Sequence, residues 1–483
     1  MVPKPQAKRS SKRNDNRNFN PIVIGPSTPY EFTSELLTPF GGFLLFVKML
    51  AALQFEKLFD ETFAKPGRVP KLGHYFMFKG LIFLLVIGFH RIFHFSYISQ
   101  EPMLLGVLSV AQLPAVTTFW RWLRYCGINQ ANSLVKLMAL VRERVWWQVG
   151  YAYPLIHIDI DTTVETVYGN IEGARKGYNP KHRGKKGLRP ALAFIAETKE
   201  YLSGKLRQGS TMSGDEVTTL IKSFKPLLPG CVVKVIIRAD SEFFSQDAVI
   251  ACQEEKYRFI ISVKVTNPPF VSNRWYSVRG RPGVQYNSSV FKPPTWDKAY
   301  RFVVMRILKT EAEKANPQQT EMFEDADYKY RIFVTDLKGS AHRVIDIYDK
   351  RAGAENLIGE AKREGLCAIP SKMFHTNMTF FQMVMLTYNL WRHLQAFAEA
   401  EQVGTFRRHT VHVARLKVLF IAAKIVRHSD QVKVKYSDYL DIRPQLEKLF
   451  KKLDSLLQKP SVWDKPIGPA DTAPVPLIIR IVP

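Results

Sequence analysis

From residue 36 to about 150 apolar residues recur at spacings of three and four, most clearly in SELLTPFGGFLLFVKMLAAL and NSLVKLMALVRERVWWQVG. That period predicts helices. At 155 it drops to two: LIHIDIDTTVETVYGN alternates apolar and polar residues and is rich in β-branched types, so it predicts paired strands, with RPALAFIAET as a third. A helix near Asp215, the strand CVVKVIIRAD, a helix at about 244–254 and the strand YRFIISVKV come next. The expected class is α/β, a mixed sheet flanked by helices. Over 266–335 proline, glycine and turn residues break the alternation before RFVVMRIL and YKYRIFVTDL, which predicts a β-rich insertion. Helical spacing returns in MTFFQMVMLTYNLWRHLQAFAEA and VHVARLKVLFIAAKIV. The expected division is a disordered arm over 1–35, a helical region over 36–150, a mixed-sheet domain over 151–395, and helices with a proline-rich tail over 396–483.

Charge narrows the partners. Lysine and arginine number 69 against 43 acidic residues, a formal net charge of +26 with a sequence pI near 9.8. A polyanion is the expected partner, and nucleic acid stands ahead of membrane because no basic amphipathic anchor is visible. The most apolar run, GLIFLLVIGF, is half the roughly 20 residues that a spanning helix needs. It reads as a core helix, and no membrane partner is expected. The opening MVPKPQAKRSSKRNDNRNFNP has no apolar core behind it as a secretory signal would, so a cytoplasmic location is expected. This basic arm either touches phosphate or is simply solvated. The four cysteines form no C-x-x-C pair, which argues against zinc and disulfides. In LPAVTTFWRWLRYCGI, Thr117 or Thr118 would cap a short helix that presents Arg121 and Arg124 to a DNA groove. An ordinary surface helix is the alternative.

Four acidic residues at three places in the chain carry candidate chemistry. Asp159 and Asp161 stand two apart on one strand and so share a face; Asp240 ends an apolar strand; Glu355 follows the insertion. Any one of them alone could be a turn or helix cap. Together they suit a divalent cation, because Mg²⁺ takes hard oxygen ligands and two such ions about 4 Å apart can drive phosphodiester chemistry. In YDKRAGAENLIGEAK an uninterrupted helix would set Tyr348, Arg351, Glu355 and Lys362 on one stripe, with Ile347, Ala354, Ile358 and Ala361 beside it as a docking face. Arg351 would fork onto a phosphate, Lys362 would add a point charge, and Tyr348 would stack or hydrogen-bond. The alternative is an exposed helix with an Arg351 to Glu355 ion pair.

These four residues match the Y-x2-R-x3-E-x6-K signature of DDE-class bacterial insertion-sequence transposases. DIDTTVETVYG, GYNPKHRGKKGLRPALAF and IRADSEFF also resemble that group, most closely its branch numbered thirteen-eighty. The resemblance covers about 155 to 395 and implies a ribonuclease-H-like fold. It implies catalytic, metal-binding carboxylates at Asp161, Asp240 and Glu355, with Asp159 as the alternative first ligand, and Mg²⁺ as cofactor with Mn²⁺ as a possible substitute. It implies DNA contacts at Tyr348, Arg351 and Lys362; Arg183, Lys185 and Lys186 in the basic loop either join them or are solvated. Related enzymes carry a base-accepting aromatic in the insertion. Trp275 and Trp296 are candidates there, and core burial is the alternative for each. The implied function is a transposase that binds its element's terminal inverted repeats, cleaves there and joins the 3′ ends to target DNA, as a dimer on nucleoid DNA. A nuclease without strand transfer and a catalytically silent DNA-binding descendant are the rivals.

Overall fold

A computed structural model describes residues 24–458 except 178, 180–181, 210, 265–273, 311–326, 405, 430 and 439. Most of the expected basic arm, the proline-rich tail and parts of the insertion lie outside the described residues. A short strand β1 (Leu36–Thr38) precedes α1 (Phe43–Ala52), α2 (Phe55–Thr62), α3 (His74–Ile87), α4 (Pro102–Leu108), α5 (Val116–Arg124) and α6 (Ile128–Val149). GLIFLLVIGF lies mostly within α3, where nearly every side chain from Met77 to Ile87 is buried. Among the described residues no helix is long and apolar enough to cross a membrane. α5 starts one residue before the expected threonines, after Ala115, which makes no side-chain cap.

The period-two segment becomes β2 (Leu155–Thr162). β3 (Glu165–Thr166), β4 (Arg175–Lys176) and β5 (Lys186–Leu188) form a small separate sheet in the order β3-β5-β4. The chain continues through β6 (Ala191–Ile195), β7 (Glu200–Lys205), α7 (Gly214–Lys222), β8 (Lys234–Ala239), α8 (Gln246–Glu254) and β9 (Arg258–Val263). The insertion supplies β10 (Tyr276–Ser277), β11 (Val284–Phe291), β12 (Tyr300–Leu308) and β13 (Tyr328–Thr335). Its strands are not a separate unit. β13 pairs antiparallel with β9, so one mixed sheet runs β10-β11-β12-β13-β9-β8-β2-β6-β7. The reason is that Phe302, Val304, Ile332 and Val334 are buried in the same core as β2, β8 and β9.

α9 (Ala341–Asp349) and α10 (Ala352–Ala361) follow, then α11 (Phe374–Ala400), α12 (Val411–Val418), strands β14 (Ala423–His428) and β15 (Gln431–Tyr436), and α13 (Arg443–Leu457). The C-terminal region is therefore not all helical, and the N-terminal region contributes β1 to its sheet, β1-β14-β15. α7 and α8 cover one face of the main sheet with a core of Val217, Ile221, Ala248 and Cys252. α9 covers part of the other face through Val344 and Ile345. α11 is buried almost along its whole length and shares one apolar core with α1, α3 and α6.

Two polar devices join that helical body to the sheet. β7 is an edge strand, and a bare edge would template foreign strands. Asn389 of α11 fills the place of a neighbour, accepting from the Tyr201 N–H and donating to its carbonyl, each at 2.8 Å, while Gln382 donates to Gly204 at 2.9 Å. Beneath them the buried Arg142 holds Glu200 at 2.8 Å and donates to the carbonyls of Tyr201 and Leu227, and Trp146 donates to the other Glu200 oxygen. Removing one member of such a pair leaves an uncompensated charge. Arg142→Met is expected to cost about 3–5 kcal/mol, read as a lower urea midpoint; an unchanged midpoint would contradict this account.

Candidate active site

Alternation in β2 sends Ile156, Ile158 and Ile160 into the core under α7 and α8, leaving His157, Asp159 and Asp161 on the opposite face. β8 does the same with Val235, Ile237 and Ala239, so Arg238 and, one residue beyond the strand, Asp240 share that face. The two strands run parallel with Asp159 opposite Arg238 and Ile160 opposite Ala239. One step further along the register stand Asp161 and Asp240.

Asp159 and Asp161 have different fates. Both Asp159 oxygens are taken by Arg238, at 2.6 and 2.8 Å, and the pair is almost wholly buried. The remaining arm of Arg238 donates to the Ile347 carbonyl of α9 at 2.7 Å. Asp161 is more open: one oxygen accepts from the Thr162 N–H, and the other lies 3.0 Å from Arg351. Burial, opposed by Arg351 and reinforced by Asp240 and Glu355, pushes the Asp161 carboxyl up to about 6. Burial also raises Asp240.

The expected single helix over 348–362 is instead two helices and a wide turn. α9 stops at Asp349, and tight bonds from the Arg351 N–H to Tyr348 and from the Ala354 N–H to Arg351, at 2.8 and 2.7 Å, overwind the joint. After α10, residues Lys362–Leu366 form a π turn kinked at Gly365, whose φ of 108° and approach to His90 leave no room for a side chain. The stripe still meets the strand ends in order. The Tyr348 hydroxyl donates to the Ala239 carbonyl at 3.3 Å, Arg351 reaches the Ile160 carbonyl as well as Asp161, and Lys362 reaches the Val164 carbonyl at 3.1 Å and Glu165 at 3.2 Å. Glu355 is exposed on the first turn of α10, near enough for its charge to act on Asp161.

This arrangement puts two strand aspartates on one face beneath a helix that carries a glutamate. The sequence matches the family model described as Transposase DDE domain group 1 over residues 21–458. The chain belongs to this transposase family. No curated protein matches it. Among solved structures it is similar to the piggyBac transposase synaptic complex with hairpin DNA, at 13% identity and a TM-score of 0.40, over 87% of this chain and 81% of that one. It is also similar to the Mos1 transposase paired-end complex with the left transposon end, at 12% identity and a TM-score of 0.17, over 40% of this chain and 60% of that one.

In this DDE-family chain the structure gathers Asp161, Asp240, Tyr348 and Arg351 and sets Lys362 against β3. Arg183 and Lys185 in the turn before β5 and Lys186 at its start are exposed, as are Arg121 and Arg124 on α5. Trp296 is buried between Phe244 and Tyr300, which makes it a core residue. Trp275 is half-buried and carries the Arg306 guanidinium on its ring at 4.1 Å. Sequence reasoning missed Arg238 and also Glu242. Glu242 accepts from the Thr162 hydroxyl at 2.6 Å and pairs with Arg189 at 2.5 Å, and its second oxygen is buried with no hydrogen-bond partner among the described residues. Both flank Asp240 at a distance of two residues in IRADSEFF, and that crowding of charge at a strand end was the available signal.

Among the described residues no group of three or more His, Cys, Asp or Glu side chains is close enough to hold a metal ion. The donors at hand are nonetheless all carboxylates, burial makes Asp161 and Asp240 resist ionisation where they stand, and one Glu242 oxygen is unsatisfied. That set fits a hard cation and not zinc. The buried pair beside it has a separate test. Arg238→Met should destabilise the chain by about 3–5 kcal/mol, and adding Asp159→Asn should recover part of that loss. Strictly additive losses in urea melts would show that the two side chains are not coupled.

Proposed function

We propose that this chain is an active DNA transposase that binds the terminal inverted repeats of its own element, cleaves there and transfers the 3′ ends to target DNA. The observation that carries the reading is the parallel register of β2 and β8, which sets Asp161 beside Asp240 under the helix bearing Glu355 in a chain of the DDE family. Three consecutive antiparallel strands, β2, β6 and β7, followed by the parallel β8 and β9, support a ribonuclease-H-like plan. The Y-x2-R-x3-E-x6-K spacing supports the insertion-sequence group, and the segments DIDTTVETVYG, GYNPKHRGKKGLRPALAF and IRADSEFF support its branch numbered thirteen-eighty. The need to hold two ends calls for a homodimer, and the insertion-sequence reading puts its DNA in the bacterial nucleoid.

Asp161, Asp240 and Glu355 would hold divalent metal, Mg²⁺ or in its place Mn²⁺. When bound, the metal supplies positive charge for the attacking and leaving oxygens of the phosphodiester. The other roles belong to the chain. Asp161 gives up its proton to become a ligand, and Arg351 steadies the resulting charge. The Arg351 Nε, buried without a partner among the described residues, is a donor left over for a phosphate oxygen. Tyr348 and Lys362 extend that phosphate contact along the helix, and Arg183, Lys185, Lys186, Arg121 and Arg124 offer outer contacts to the duplex.

Glu355→Gln should leave end binding nearly intact and abolish cleavage in Mg²⁺, and a fully active variant would overturn the assignment. Products that are nicked but never joined to a target duplex would favour a nuclease over a transposase. Folding raises the Asp161 pKa above its ordinary 3.8, so this group favours the folded chain at low pH, and that contribution is lost as pH rises through about 6. Catalysis needs the opposite form. Cleavage should therefore fall about tenfold per unit below a pH near 6; a flat profile across that range would exclude Asp161 as the controlling ligand.

A further inference from the structure

β14 and β15 form an antiparallel ribbon whose sequence, AKIVRHSDQVKVKY, has four lysines and arginines against one aspartate. Its two faces differ. Ile425, Val434 and Tyr436 pack on the helical core, and the Tyr436 ring lies 6.0 Å from Phe450 of α13. The opposite face carries Lys424, Lys433 and Lys435, with His428 toward the tip. The register sets Lys424 directly opposite Lys435, with Lys433 on the diagonal. Like charges facing each other across a ladder destabilise it. Lys424 is partly relieved by Glu35. Lys433 and Lys435 are exposed and have no acidic partner among the described residues.

We infer that this ribbon is a second DNA-binding surface, outside the carboxylate site, whose outward lysines bind the phosphates of duplex DNA. The inference rests on the DNA reading given above and names a surface which that reading does not use. The three outward lysines lie within two residues of one another along the ribbon, about 7 Å at 3.4 Å per residue, and a two-stranded ribbon has the width of a major groove. A polyanion relieves the repulsion between Lys424 and Lys435 that the fold leaves in place. Lysines on an exposed edge strand such as β15 can also serve only to block edge-to-edge association, and the test separates the two roles.

The test uses the full chain and a duplex carrying the element end, with affinity measured across a salt series. Lys433→Gln with Lys435→Gln should weaken binding and flatten the slope of log affinity against log salt by about two units, roughly 0.9 per lost phosphate contact. Lys433→Arg with Lys435→Arg should restore it. In the unaltered chain, duplex should protect both lysines from acetylation. An unchanged slope, or equal acetylation with and without duplex, overturns the proposal while the transposase reading stands, provided the unaltered chain binds and cuts. Should the unaltered chain show no salt-dependent duplex binding, the transposase reading falls and the ribbon falls with it.

Discussion

The buried pair between Arg238 and Asp159 governs the geometry of the site. Two charges so far from water are tolerable only with a good partner and further hydrogen bonds, and the fork of Arg238 takes both Asp159 oxygens while its other terminal nitrogen donates to the Ile347 carbonyl. One side chain thus ties β8 to β2 and both to the end of α9. A slip of one residue between β2 and β8 would bury two unpaired charges, so the register is fixed. Asp161 and Asp240 stand one step further along it, and their proximity is a consequence of the pair behind them.

The helix above the strands is constrained at one end and freer at the other. Beyond the exposed Glu355, Glu360 is buried against Arg392 of α11 and the Val411 N–H, and Glu364 against Arg415 of α12, which also donates to the Val86 carbonyl. These contacts pin the C-terminal end of α10 and its π turn to three other helices. The N-terminal end rests on the tight joint at Arg351. Helices that leave the regular α pitch commonly do so at functional sites, and here the two departures bracket Glu355.

The arrangement of the aspartates was legible because period two is a strong signal when the residues between them are Ile156, Ile158 and Ile160. The same logic identified Asp240 at the end of an apolar strand. Distinguishing Asp159 from Asp161 was beyond pattern, since both face the same way and only the partner across the ladder, Arg238, separates them. The break at Arg351 was hidden for a different reason: no proline marks it, the nearby Gly353 falls inside α10, and its backbone angles stay helical while the bonding shifts. The β14 and β15 ribbon was read as helix continuing from VHVARLKVLF because its apolar residues are few. Its pairing with β1 depends on a strand nearly four hundred residues earlier, and no local window contains that contact.

The same long-range pairing explains why the N-terminal helices and the C-terminal ribbon belong to one body. β1 is only three residues long and could not stand alone. It is held by β14, β14 by β15, and Tyr436 of β15 packs on Phe450 of α13 and donates to the Gly41 carbonyl just before α1, which packs on α13. α1 and α3 in turn pack against α11, whose Asn389 closes the sheet edge at Tyr201. The ribbon and the sheet are therefore joined through one continuous set of packed side chains. Because α11 and α12 also hold the end of α10, the helix bearing Glu355 rests on the same helical body as the ribbon.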